Sequence, residues 1–174
     1  LSASPLESTV LVGATVLAQL ANQGQKEAWL PAIAAGERIV TLALQERRHH
    51  APLETAMQAT RVDDHYVLDG SKCLVLDAHV ADAFIVIARL GGHHRDHHGL
   101  SAFLVESGSE GLHVERRSFV DSRAPAMPFG LLFMKPTAQA LTEQLESTAC
   151  DADRMLSADV RANVGMCVDP SIAP

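Results

Sequence analysis

Aromatic side chains are scarce in this chain: one tryptophan, one tyrosine and five phenylalanines make up 4% of its 174 residues. Any core it builds is therefore aliphatic. Cysteine is scarce too. Cys73, Cys150 and Cys167 form no C-x-x-C pair, and an odd, scattered set argues against a disulfide framework and suits a reducing compartment. No apolar run approaches the roughly 20 residues of a membrane span. The first residues lack the basic start and continuous apolar stretch of a secretory leader. The expectation is a cytoplasmic protein with no membrane partner. Positive charge is in deficit, with 14 Lys and Arg against 21 Asp and Glu, a net charge of -7. That argues against nucleic acid, because phosphate binding wants a basic surface. There is no G-x-G-x-x-G turn, phosphate loop or G-x-S-x-G elbow, and no nucleophile-plus-base motif.

What is present is an ordinary globular balance, 47% hydrophobic and 20% charged, arranged around Asp69–Arg89. Two short apolar runs lie there, Cys73–Leu76 and Phe84–Ala88, of strand rather than helix length. Asp69-Gly70 carries a tight-turn signal, so Tyr66–Leu76 reads as a hairpin.

Residues 1–36 read as helical. Ser4-Pro5-Leu6-Glu7 offers a cap, a proline at the first helical position and a capping-box glutamate. Val10, Val12, Leu17 and Leu20 follow as the apolar residues. Asn22 and Gly24 read as the stop, and a second short helix runs through Trp29, Leu30 and Pro31 to Gly36. Residues 37–136 read as β. Strands are expected at Arg38–Leu44, Ala56–Val62, His65–Leu68, the central hairpin, the Phe84 run, Leu100–Val105, Leu112–Arg117 and Phe129–Phe133. That many short strands at roughly 8–12-residue spacing suggest a sandwich or small barrel. Residues 137–174 return to helix, with Ala152, Met155, Leu156, Val160 and Val164 at helical spacing. The fold class is α+β: an antiparallel β-barrel or sandwich flanked by N- and C-terminal helices.

The central stretch resembles a known family. Tyr66-Val67-Leu68-Asp69-Gly70-Ser71-Lys72, then Ala81-Asp82 and Ile85-Val86-Ile87-Ala88-Arg89, are similar to the middle β-domain of acyl-CoA dehydrogenases. Upstream, Gln25-Lys26, Trp29-Leu30-Pro31, Gly36-Glu37 and Thr41-Leu42-Ala43-Leu44-Gln45-Glu46 match in family order. Downstream, Gly99-Leu100-Ser101-Ala102-Phe103-Leu104-Val105, Gly111-Leu112 and Val120-Asp121-Ser122-Arg123 continue the series. The resemblance implies the end of an N-terminal helical domain at residues 1–36, a middle β-domain at 37–136 and a truncated start of a C-terminal helical domain at 137–174. It also implies FAD as cofactor, an acyl-CoA substrate, an electron-transfer flavoprotein as acceptor and a homo- or hetero-oligomer.

By the same resemblance, Leu42, Leu44 and Gln45 present backbone groups to the pyrimidine edge of a flavin. The residue alone reads more simply, as a polar-tipped strand end. Leu74, Val75 and Leu76 form the second cofactor-binding candidate. Many members carry a stacking Trp at the position of Leu74 and a donating Thr or Ser at that of Leu76. Both are leucine here, as in a divergent branch found as smaller partner subunits, and a plain core strand is the rival reading. After Glu46 the family's Pro-Gly-Ala-Gly-Ser-Asp-like loop is absent. Arg47, Arg48, His49 and His50 read as a solvated basic loop, with a phosphate or carboxylate contact as the alternative. His93–His98 lies between glycines and reads as an exposed loop rather than a metal site. Arg116, Arg117 and Arg123 read as solvated strand ends or partners of cofactor phosphates. No catalytic residue and no metal ligand is expected within this segment, because the family's proton-abstracting glutamate belongs to the C-terminal helical domain. The expectation is a fragment of an FAD-dependent acyl-CoA dehydrogenase. The alternatives are a non-catalytic partner subunit or an unrelated small β-barrel binding module.

Overall fold

The computed structural model describes residues 5–47, 49, 51–62, 65–117, 129–134 and 143–144. A π-helical segment, Glu7–Ala14, runs on into helix α1, Thr15–Leu20. The apolar stripe expected to include Val10 is not what this segment buries. It turns Ser8, Thr9 and Gly13 inward and leaves Leu6, Val10 and Leu11 exposed. Gly13 explains the choice. A Cβ there would run into the carbonyl oxygen of Val40, so the helix presses on the next strand at a distance that glycine and small residues permit.

Asn22 does not stop α1 but starts helix α2, Gln23–Ala34. Its side chain accepts from the Gln25 N–H at 2.8 Å, and Gln25 Oε1 accepts from the Asn22 N–H at 3.1 Å, a reciprocal capping box. Gly24 therefore lies inside α2. Gly36, at φ 75°, ends it. The Gly36 N–H bonds Ile33 O and the Glu37 N–H bonds Ala32 O, which satisfies the last carbonyls.

The described strands are β1 (Val40–Ala43), β2 (Gln58–Val62), β3 (His65–Leu76), β4 (Ala83–Arg89), β5 (Leu100–Glu106), β6 (Leu112–Arg117), β7 (Phe129–Met134) and β8 (Glu143–Gln144). They run in the order β6-β7-β3-β2-β4-β5-β8, with β1 joined to β4. The expected antiparallel sheet is in fact mixed, because β1 and β2 both pair β4 in parallel. The reason is connectivity: β1 and β2 follow each other along one edge of β4, and both run in its direction. Glu143–Gln144 pairs β5, so these two residues extend the sheet where helix was expected. Apart from Glu143–Gln144, the expected helical stretch 137–174 lies outside the described residues, as do the cap at Ser4 and Arg48, His50, Arg123, Cys150 and Cys167.

The expected hairpin at Tyr66–Leu76 is a single strand. β3 pairs β2 up to Asp69 and β7 from Gly70 onward, so Asp69-Gly70 is a corner between two sheets rather than a reversal. Gly70 has φ 148°, and a Cβ there would stand 2.9 Å from Met57, a contact glycine alone avoids. Further along β3 the register with β7 shifts between Lys72 and Val75, and Leu74 sits at φ 55°. This bulge switches which side chains point inward. Leu68 and Lys72 are buried before it, and Val75 after it.

β4 is buried along its whole length, which accounts for its near-continuous apolar sequence. Its side chains alternate between two cores. Phe84, Val86 and Ala88 join Leu68, Val75, Phe103 and Val105 on one face. Ala83, Ile85 and Ile87 join Val16, Leu17, Leu20 and Ile33 from the helices on the other. With few aromatics, the cores are mostly aliphatic; the Tyr66 and Phe103 rings meet at 5.2 Å between centroids.

Candidate functional site

β1 covers Ala83–Val86 of the β4 edge, and β2 reaches that edge again only at Arg89. Between them the chain leaves the sheet through Leu44, Gln45 and Glu46. Ile39 O accepts the Asp82 and Ala83 N–H groups. By the alternation of a parallel ladder, Thr41 and Ala43 then turn their peptide groups to β4, and Val40 and Leu42 turn theirs to the opposite edge. Val40 O meets the helix at Gly13. The Leu42 N–H and C=O face an edge that no described strand pairs.

The segment just past β1 is held from below by a charge network. Lys72, on the buried side of β3, is completely enclosed, and its ammonium bonds Glu46 Oε1 at 2.6 Å and Leu44 O at 3.2 Å. The Glu46 carboxylate also accepts the Ala56 N–H at 2.7 Å and the Met57 N–H at 3.0 Å. Burial pulls the Lys72 ammonium below the usual lysine range, and the adjoining Glu46 carboxylate pushes it back up. Gln45 is tied in as well. Its carbonyl accepts the Cys73 N–H at 2.6 Å, and its side-chain oxygen accepts the Ala51 N–H at 3.2 Å.

Arg89 organises the flanking loops. Fully buried at the end of β4, it donates through Nε to Thr55 O at 3.1 Å, through Nη1 to His98 O at 2.8 Å and Gly91 O at 3.5 Å, and through Nη2 to Asp96 O at 3.2 Å and Leu53 O at 3.3 Å. One guanidinium thus ties the loop before β2 to the loop after β4. Burial draws it below the usual guanidinium range, and the charges of Asp96 and Glu46 oppose that. Beside this knot lies an open cleft of about 390 Å³, lined by residues that include Glu46, Arg47, Glu54, Gly70 and His94. Glu54 bridges Arg47 at 3.1 Å and Arg95 at 2.9 Å.

The bonds from Leu44 O to Lys72 and from Gln45 O to Cys73 bring the two expected cofactor segments together. Leu42, Leu44, Gln45, Leu74 and Leu76 are half-buried, whereas Val75 points into the core. His93–His98 forms an exposed loop in which the His93 N–H bonds Asp96 Oδ2 at 2.7 Å. Among the described residues no three His, Cys, Asp or Glu side chains are grouped to hold a metal. Arg47 and His49 are exposed, as is Arg116 on β6. Sequence reasoning missed Lys72, the anchoring role of Glu46, and Arg89. Period-two spacing from Leu68 through Gly70 places Lys72 on the inner side. An arginine closing a six-residue apolar run is the corresponding signal for Arg89.

Comparison with known proteins bears on the family and the fold. Residues 44–130 match the family model described as acyl-CoA dehydrogenase, middle domain. A benzylmalonyl-CoA dehydrogenase of Aromatoleum aromaticum is 37% identical over 107 residues, covering 61% of this chain and 27% of that protein. The chain thus spans about a quarter of that relative's length. Among solved structures, PigA with FAD and proline superposes with a TM-score of 0.78 at 21% identity, covering 92% of this chain and 41% of PigA. A glutaryl-coenzyme A dehydrogenase in complex with glutaryl-CoA superposes with a TM-score of 0.75 at 22% identity, over 87% of this chain and 38% of that one.

Proposed function

Because the chain belongs to the acyl-CoA dehydrogenase family, we propose that it is the middle part of an FAD-dependent enzyme that removes hydrogen from the α and β carbons of an acyl-CoA thioester. The single observation that carries the cofactor assignment is the edge of β1 at Leu42, which is unpaired by any described strand. The Leu42 N–H and C=O face no described strand, beside the Leu44–Gln45 segment and the β3 bulge that are bonded to each other. Directed backbone groups at a strand end suit the donor and acceptor pattern of a pyrimidine edge, so the residues fit the group. FAD, when bound, supplies the electron acceptance that no side chain provides.

This chain's own residues hold and shape. Leu42, Leu44 and Gln45 present the edge, and Leu74 and Leu76 give the ring an aliphatic flank in place of a stacking tryptophan and a hydroxyl donor. Val75 supports that flank from within the core. Glu46 is not the proton-abstracting base, because both its oxygens accept backbone N–H bonds and one accepts the Lys72 ammonium as well. The base belongs to the remainder of an enzyme of which this chain spans about a quarter, judged by the relative above. The same enzyme hands its electrons to an electron-transfer flavoprotein and works as an oligomer. Family membership removes the reading as an unrelated β-barrel module.

The test is to express the protein from its complete reading frame and titrate FAD. The expected result is flavin absorbance that copurifies, a melting temperature raised as binding at one hundred times Kd requires, about 2.7 kcal/mol, and bleaching on addition of acyl-CoA. No copurified flavin and an unmoved melting temperature in excess FAD overturn the proposal.

A further inference from the structure

A buried charge pair stands directly behind the proposed flavin wall, and holding the ring does not require it. The Lys72 side chain is 0% exposed and Glu46 12% exposed, with 2.6 Å between them. The pair is oriented. Its ammonium lies 3.2 Å from Leu44 O, at the strand end, while the carboxylate is anchored on the Ala56 and Met57 N–H groups. Arg89, also buried, is close enough for its charge to be felt at Lys72. The pair's cation, not its carboxylate, is the end that touches the strand end. Pairs this deep contribute little net stability, since desolvation offsets their attraction. Their field, however, acts through a poorly screening interior.

We propose that Lys72 is a positioning residue that aims the Leu44–Gln45 segment and, with Glu46 as its counter-charge, sets how strongly the bound flavin favours its reduced form. The inference rests on the flavin reading above. The ammonium bond to Leu44 O polarises the peptide group at the strand end, and the pair's positive end, being the one nearer that segment, favours a cofactor that carries more negative charge once reduced. Glu46 limits that effect.

The geometry requires opposite responses from the two partners. Lys72→Met removes the cation at nearly unchanged length, and Glu46→Gln leaves the cation uncompensated. In the complete flavin-loaded protein, Lys72→Met lowers the ratio of reduced-flavin to oxidised-flavin affinity by about tenfold, which is about 30 mV for a two-electron couple. Glu46→Gln raises it, and Lys72→Arg keeps it near the wild-type value. The readout is the midpoint potential from spectroelectrochemical titration, with folding checked by circular dichroism. A merely structural pair moves both variants the same way, and that result, or no shift in either, overturns the inference while leaving the flavin reading intact. If Lys72→Met does not fold, the sign of the Glu46→Gln shift against Lys72→Arg decides. Failure of the wild-type protein to hold flavin overturns the parent reading instead.

Discussion

Arg89→Met removes the knot between the loop before β2 and the loop after β4. Five carbonyls lose a donor, but they do not lose it equally. Gly91, Asp96 and His98 lie in the exposed loop, where water replaces the guanidinium at small cost. The Leu53 carbonyl keeps the Thr55 N–H at 2.9 Å, whereas Thr55 is buried and its carbonyl keeps no ready substitute. An unsatisfied buried polar group costs about 1–3 kcal/mol. The one orphaned carbonyl, that of Thr55, sets a loss of about 1–3 kcal/mol, reduced by whatever desolvation the buried guanidinium itself incurs. Urea unfolding of wild type and variant at constant m-value measures it. Arg89→Lys, with three donors in place of five, falls between the two. The local signature is a rise in amide exchange at Ala56 and Met57, whose N–H groups bond Glu46, because that loop loses its second anchor. A loss below about 1 kcal/mol, within the range of ordinary surface substitutions and weak single bonds, with unchanged exchange at those amides, refutes the reasoning.

Gly13→Ala forces a methyl into the Val40 carbonyl. The π segment must back away from β1, at about 1–3 kcal/mol in thermal or urea unfolding, and Gly13→Ser is no better. Asp96 carries a pH signature. The backbone N–H of His93, aided by nearby positive groups, holds its carboxyl below the ordinary aspartate range. A lowered folded pKa means the loop contact is fully present above the unfolded value of about 3.9 and fades as pH falls through the folded value. The Asp96 side-chain carboxyl resonance therefore titrates with a midpoint below about 3.9; a midpoint above the ordinary aspartate value contradicts the assignment.

Much of the β-scaffold is legible in the sequence because its signals are local. The apolar runs Phe84–Ala88 and Leu100–Val105 read as strands from their length and composition, and the structure buries them along almost their whole length. What failed was the meaning of Gly and Asn. Asp69-Gly70 and Asn22-Gly24 carry turn and stop chemistry, but tertiary contacts decide how it is used. Gly70 is required by the approach of Met57, and Asn22 caps forward rather than ending what precedes it. The parallel pairing of β1 with β4 depends on where the intervening chain returns, which no local pattern encodes. The candidate site was legible in part. The order of matched segments pointed to the end of β1 and to Leu74–Leu76, yet the buried Lys72–Glu46 pair escaped notice because lysine in a strand ordinarily reads as solvent-facing. The bulge at Leu74, which separates the outward leucines from Val75, has no composition signal, since leucine rarely adopts positive φ.

The most direct test of the central claim is hydrogen–deuterium exchange of the complete protein with and without FAD, followed at single-residue resolution across residues 40–46 and 72–76. The account requires that FAD protect the Leu42 amide and the segment around Leu74, while amides of the His93–His98 loop exchange unchanged. Bound FAD that leaves Leu42 as exchangeable as before contradicts the assignment of the β1 edge at Leu42 as the flavin wall.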